Sequence, residues 1–153
     1  MYGLKPIGRL DGKTNFSLRE FTTGATMVAG DPCYLLDGVL EMAVATGDIL
    51  GVMAEGCTDG DTDALVIVDP DMLYLVDNDN DTNTFGETTA TYSPGNFFDI
   101  TGGTGAVQVD TSTGSAASGQ LFAWEYNPQI EPFKSDTSIC VVSIAQRQYI
   151  LPH

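Results

Sequence analysis

The run Tyr34-Leu-Leu-Asp37-Gly38-Val39-Leu-Glu-Met42 decides the fold class of this chain. Asp-Gly sits between two short apolar runs, and glycine tolerates the positive φ that a two-residue primed turn demands, so the runs are predicted to pair as a hairpin. The same rhythm continues on both sides. Gly24-Ala-Thr-Met-Val-Ala-Gly-Asp-Pro-Cys leads in; Thr46-Gly-Asp48 is followed by Ile49-Leu-Gly-Val-Met-Ala-Glu55, and a polar break over 56–63 precedes Ala64-Leu-Val-Ile-Val68. β-Branched and apolar runs punctuated by Gly, Asp and Thr describe strands joined by tight turns. The stretch from Gly24 to about Val76 therefore reads as a small β-meander or barrel core.

Beyond it the chain keeps the same character. Phe97-Phe-Asp-Ile enters a further strand, and Gly102-Gly-Thr-Gly105 is followed by Ala-Val-Gln-Val-Asp110. A phosphate-binding turn would have to open a helix and be followed by Gly-Lys-Ser/Thr, so these are hairpin or bulge glycines. Thr111 to Gly119 is small and polar and reads as a loop tip. In Gln120 to Tyr126, Phe122, Trp124 and Tyr126 recur at period two and form an aromatic ridge. Large aromatics are usually buried, which predicts core, with a contact surface as the competing reading. Asn127 to Lys134 holds two prolines and reads as a connection rather than an inner strand. Ser138 to Ala145 is nearly all apolar and too short for a typical helix, so it reads as a central strand buried on both sides.

Residues 24 to 148 carry a family likeness. The order Ala29-Gly-Asp-Pro32, strand, Asp37-Gly38, strand, Gly47-Asp-Ile-Leu-Gly-Val-Met-Ala-Glu-Gly56, Gly60-Asp61, strand resembles the β-barrel core of small structural proteins that decorate or cement tailed-bacteriophage heads. Ala64-Leu-Val-Ile-Val-Asp-Pro-Asp-Met-Leu-Tyr-Leu-Val76 looks like its continuation, and Gln120-Leu-Phe-Ala-Trp-Glu-Tyr-Asn-Pro128 and Ser138-Ile-Cys-Val-Val-Ser-Ile-Ala145 resemble the closing strands. The resemblance implies a virion protein, assembled in the host cytoplasm. It would sit on the capsid surface as a symmetric homo-oligomer, a trimer, and cement neighbouring major capsid proteins.

Charge and composition bound the alternatives. At 153 residues and a net charge of −15 the chain suits one domain with a strongly acidic exterior. Duplex nucleic acid would be repelled, and no Lys/Arg cluster interleaved with aromatics is present to neutralise phosphates. No apolar run reaches membrane-spanning length. Cys33 and Cys140 lie in apolar strand patterns and read as buried free thiols, while Cys57 at a polar turn reads as partly exposed. That usage suits a reducing compartment.

The charge is uneven. Residues 1–23 hold Lys5, Arg9, Lys13 and Arg19 against Asp11 and Glu20, whereas the remaining 130 residues have two basic against nineteen acidic groups, a net −17. Such asymmetry marks either a basic N-terminal arm that docks on something acidic, such as another copy, or an ordinary strand hairpin with Asp11-Gly12-Lys13 as its turn. Asp77 to Asn83 is an acidic loop in which Asp77, Asp79 and Asp81 mimic the first ligands of a calcium loop. Thr82 stands where that loop needs glycine and Thr88 where it needs glutamate, which favours a solvated loop with no cofactor.

A reactive centre is not legible. His153 is the only histidine and ends the chain, which leaves a nucleophilic triad without its base. One His and three scattered Cys do not make a zinc site, and no carboxylate pair is framed by a sugar platform. The sequence therefore predicts a mostly β, non-enzymatic protein with an N-terminal arm (1–23) and a β domain (24–153). That domain comprises a core barrel about 24–76, an acidic loop 77–83, covering strands 97–145 and a tail 146–153. Its contact residues would be Lys5, Arg9, Lys13, Arg19, Phe122, Trp124, Tyr126 and Tyr149. A receptor- or glycan-binding knob of a fibre or tail is the alternative function, and a secreted calcium-stabilised β module a third.

Overall fold

The structure, a computed structural model, describes residues 3–13, 15–79, 95–126 and 139–148. Among these the chain is all β, with no helix. The strands are β1 (Lys5–Arg9), β2 (Leu18–Phe21), β3 (Pro32–Leu36), β4 (Val39–Met42), β5 (Gly51–Met53), β6 (Ala64–Ile67), β7 (Met72–Asp77), β8 (Phe97–Thr101), β9 (Gln108–Ser115), β10 (Leu121–Tyr126) and β11 (Ile139–Ile144). They form two antiparallel sheets, one of five strands in the order β2-β6-β5-β3-β4 and one of six in the order β1-β7-β11-β10-β8-β9.

Without β1, the two sheets have one topology. Counting strands within each half of the chain, both run first, fifth, fourth, second, third. The ladders also match in register. Phe21 faces Ala64 as Val76 faces Cys140, and Cys33 faces Gly51 as Phe98 faces Leu121. Leu35 faces Leu40 as Ile100 faces Val109, and Met53 faces Val66 as Ala123 faces Val142. Each sheet then curls until the chain leaving its first strand meets its third strand through a parallel bridge, Thr23 to Leu40 in one half and Asn78 to Val109 in the other. The bond from Gly24 N–H to Leu40 O (2.8 Å) has its counterpart in Asp79 N–H to Val109 O (3.0 Å). The chain is an internal duplication at the level of fold.

The barrel expected over 24–76 is therefore not a closed one. That stretch supplies four strands of the five-stranded sheet, while Met72–Val76 already belongs to β7 of the other. Tight turns account for the local pairing. Asp37 (φ 51°) and Gly38 (φ 87°) make the primed turn that the sequence predicts between β3 and β4.

Residues 3–13 and 15–23 are built into both sheets. β1 pairs with β7 at one edge of the six-stranded sheet, and β2 pairs with β6 at one edge of the five-stranded sheet. The turn at 10–13 is present, with Gly12 N–H donating to Arg9 O, but the strands on either side of it part to different sheets.

Alternation decides which side of each strand is buried. On the concave side of the six-stranded sheet, Tyr74, Val76, Phe98, Ile100, Val109, Leu121, Ala123, Cys140 and Val142 form the main core, joined by Leu4, Ile49, Val52 and Ile67 from the other half. The concave side of the five-stranded sheet holds its own smaller core of Met27, Cys33, Leu40, Leu50, Met53, Cys57, Ala64 and Val66. Cys57, expected to be partly exposed, is buried there because its polar turn folds back against Met27. β11 is central and buried along its whole length, as the unbroken apolar run predicts.

Polar side chains stitch the halves together. Gln120, fully buried, accepts from Ile100 N–H (3.0 Å) and donates to Val44 O and Gly47 O (2.7 Å each). Asp31, also fully buried, accepts from Val28 N–H and from Gly105 N–H across the junction (3.0 Å each). The Gln148 side-chain amide accepts from Leu35 N–H (2.7 Å) and donates to Leu35 O (2.8 Å). Where no neighbouring strand pairs with Leu35 on that side, the amide supplies the missing peptide-like partner.

Candidate functional site

Contact surfaces are the candidate site, and the first lies along β1 and β2. Ile7, Leu10, Phe16 and Leu18 are 39 to 46 % exposed, and they are half of the large apolar side chains exposed among the described residues, the others being Val28, Leu36, Val44 and Trp124. Lys5, Lys13 and Arg19 are exposed among them. Both strands are sheet edges. Alternation puts Leu18 with Glu20 on one side of β2 and Arg19 with Phe21 on the other, so apolar and charged side chains are mixed along this edge.

Arg9 stands apart from the other three cations. It pairs with Asp69 (3.2 Å) and Asp11 (3.2 Å) and reaches Asp71 (3.8 Å), pinning the turn between the first two strands to the start of β7. Ser17 N–H also donates to Asp69, and Arg147 donates to Val68 O. The backbone N–H of Lys13, together with Arg9, holds the Asp11 carboxyl below its ordinary pKa. Arg9 thus does structural work at the crossing, while Lys5, Lys13 and Arg19 face outward.

Beside this edge lies an apolar groove of about 490 Å³, lined by Leu4, Pro6, Phe16, Ala29, Met53 and Ala54, with Lys5 contributing.

The second surface is on β10 and β8. Leu121 and Ala123 are fully buried and point inward, so the intervening Phe122 and Trp124 point outward, with Phe122 half-buried and Trp124 46 % exposed. This corrects the core reading of the aromatic ridge. Both faces of the strand are apolar, and the concave side takes the smaller set. Phe97, Phe122 and Trp124 pack edge to face in a row, with centroids 5.1 and 5.0 Å apart. A bulge between Ala123 and Glu125 sets Trp124 off the regular ladder, and its Nε1–H donates to Ser143 Oγ (2.9 Å). Asp81, Tyr149 and the side chain of Tyr126 lie outside the described residues.

The acidic loop begins as a fold element. Asp79 Oδ1 accepts from both the N–H (3.1 Å) and the hydroxyl (2.9 Å) of Thr111, fastening the chain after β7 to β9. No group of three or more His, Cys, Asp or Glu side chains converges as for a metal among the described residues. Thr111 to Ser115, read as loop, belongs to β9, where buried Thr111 and its bond to Asp79 hold the strand. Burial, with Cys57 and Asp31 nearby, pushes the Cys33 thiol up to about 12; burial likewise raises Cys140 and the Tyr74 hydroxyl. These groups stay protonated at neutral pH, in the form that suits packing rather than attack.

The structural residues that sequence reasoning passed over are Gln120, Gln148 and Asp31. Each is a polar residue beside a turn or strand end, and only the long-range partners distinguish it from a solvated one. No protein-family model matches the chain, and no curated protein matches its sequence.

Proposed function

We propose that this is a structural protein of a tailed-phage head. It binds the outside of the capsid as a symmetric homo-oligomer and cements neighbouring major capsid proteins. The observation that carries the reading is a pair of exposed apolar surfaces on an otherwise acidic molecule, the basic edge along β1 and β2 and the aromatic row on β8 and β10. Exposed aromatics and apolar side chains ringed by charge mark protein interfaces. The likeness of residues 24–148 to capsid-decorating proteins supports the choice of partner. Negative charge keeps copies soluble before assembly. Repeated contacts of about 1,000 Å² or more each then add modest stabilisation over a whole shell. The reading requires no reactive centre.

The test is addition of the purified chain to phage heads lacking it. Co-sedimentation at a fixed ratio to the major shell protein, with heads holding their DNA to higher temperature, is the expected result. Failure to sediment with heads, coupled with binding to cells or glycans in isolation, would replace this reading with the receptor-binding knob.

A further inference from the structure

The duplicated register identifies what the aromatic row is equivalent to. Across β3, β5 and β6, Pro32 faces Val52 and Val52 faces Ile67. Across β8, β10 and β11, Phe97 faces Phe122 and Phe122 faces Ser143 at the corresponding rungs. The two triads occupy the same, convex face of their sheets. In the N-terminal half that face is an interface: Pro32 is buried, and Val52 (0 % exposed) and Ile67 (2 %) join the core of the C-terminal half. In the C-terminal half the same rungs carry Phe97, Phe122 and Ser143, the bulge adds Trp124 over Ser143, and the row ends with that indole 46 % exposed.

We infer that the aromatic face of one copy docks on a second copy of this chain, against the basic edge formed by β1 and β2. This contact rests on the self-associating capsid protein proposed above and specifies how its copies meet. The occupant follows from complementarity. The N-terminal edge exposes Ile7, Leu10, Phe16 and Leu18 beside an apolar groove of about 490 Å³. It also carries Lys5, Lys13 and Arg19, while the 130 residues after it sum to −17. An apolar row on an acidic molecule therefore meets that molecule's net-basic apolar strip. The two patches differ, so the contact is heterologous and runs head to tail, which closes into a ring or continues according to its rotation.

Trp124 is the only tryptophan in the chain, so it reports its own burial. The full-length protein is followed by sedimentation velocity and intrinsic fluorescence across a concentration series. Wild type is expected to associate, with emission moving to the blue as it does. Trp124→Ala and Phe16→Glu are each expected to weaken association about tenfold or more, and Lys13→Glu with Arg19→Glu to weaken it in a salt-dependent way. Both single variants should keep the wild-type far-UV dichroism and melting temperature. The decisive sample is the mixture. Each single variant retains the patch the other lacks, so the two together are expected to form a one-to-one pair that grows no further. A wild type that stays monomeric at every concentration overturns the inference. So does a Phe16→Glu variant that associates like wild type, which would indicate a contact of aromatic face on aromatic face. An associating protein that ignores heads would instead remove the capsid reading and leave this contact in place.

Discussion

The two halves of the molecule share a ladder register and almost nothing else. At equivalent concave positions the N-terminal half has Cys33, Leu35, Met53 and Ala64 where the C-terminal half has Phe98, Ile100, Ala123 and Cys140. The first set closes a small core by itself with Met27 and Cys57; the second encloses a larger one that the first half completes with Val52 and Ile67. The lesson is that topology and register follow from the side on which apolar residues alternate and from what the curl must enclose, while the residues filling the space are free to change. The same comparison describes unequal outer faces: one is closed by the C-terminal half, while the other is buried at Leu75, Ile139 and Val141 and bears the aromatic row on β8 and β10.

The sharpest way to break this comparison is to truncate equivalent residues. Phe98→Ala is expected to cost about 3–5 kcal/mol of unfolding free energy, because a fully buried ring leaves a cavity in the larger core. Cys33→Ala at the matching rung removes one sulfur atom and should cost about 1 kcal/mol. Equal losses in denaturant titrations would mean that the two cores do not differ in the way described.

Separating the halves comes next in size. Gln120→Leu leaves Ile100 N–H, Val44 O and Gly47 O without their partner at the junction, for an expected loss of about 3 kcal/mol. Hydrogen exchange should show the 43–50 segment and the start of β10 opening together; unchanged protection there would show that Gln120 does not join the halves.

Smaller again is the contrast between two glycines with nearly the same φ. Gly102 (φ 88°) has Ala106 O 2.1 Å from where a Cβ would sit, whereas Gly38 (φ 87°) has open space around that position. Gly102→Ala is expected to destabilise by about 2–3 kcal/mol and Gly38→Ala by about 1 kcal/mol, the latter from backbone strain alone. A thermal melt of each variant measures the gap, and no gap would argue against the close approach at Ala106.

The last effect appears only in alkali. Burial raises the Cys33 thiol from 9.0 to about 12, so the folded state holds that proton more tightly than the unfolded chain does. The associated stability is complete below pH 9 and is lost progressively as pH rises toward 12. Cys140 and Tyr74, also raised by burial, act in the same direction. Melting temperatures should therefore begin to fall just above pH 9, and Cys33→Ala should blunt the decline. A melting curve flat from pH 8 to 11 would contradict the burial of these groups.

The local elements were legible because they depend on local chemistry. Alternation and β-branching gave the strands at 32–36, 39–42, 64–67 and 97–101, Asp37-Gly38 gave a turn, and the apolar run at 139–144 gave a central strand. The exposed surfaces were legible only in part. Lys5, Lys13 and Arg19 do face outward, but Arg9 is taken up by three aspartates brought near by folding. The aromatic ridge was legible from its spacing, but core and contact surface stayed competing readings, since period two separates the faces of a strand without saying which one the sheet encloses.

By itself, the sequence determined a mostly β chain with turns at Asp-Gly and Gly-rich points, a strongly acidic body and a basic leading segment, because each of these is set by residues adjacent in the chain or by a simple count. Only the tertiary structure decided that β1 and β2 divide between two sheets, that the halves repeat one register, and that Trp124 looks outward. Those outcomes depend on pairings between segments far apart in the chain and on the volume each curled sheet has to fill. Rungs as different as Cys33 with Gly51 and Phe98 with Leu121 satisfy the same backbone hydrogen-bonding geometry, so the duplication leaves little trace in the order of residues.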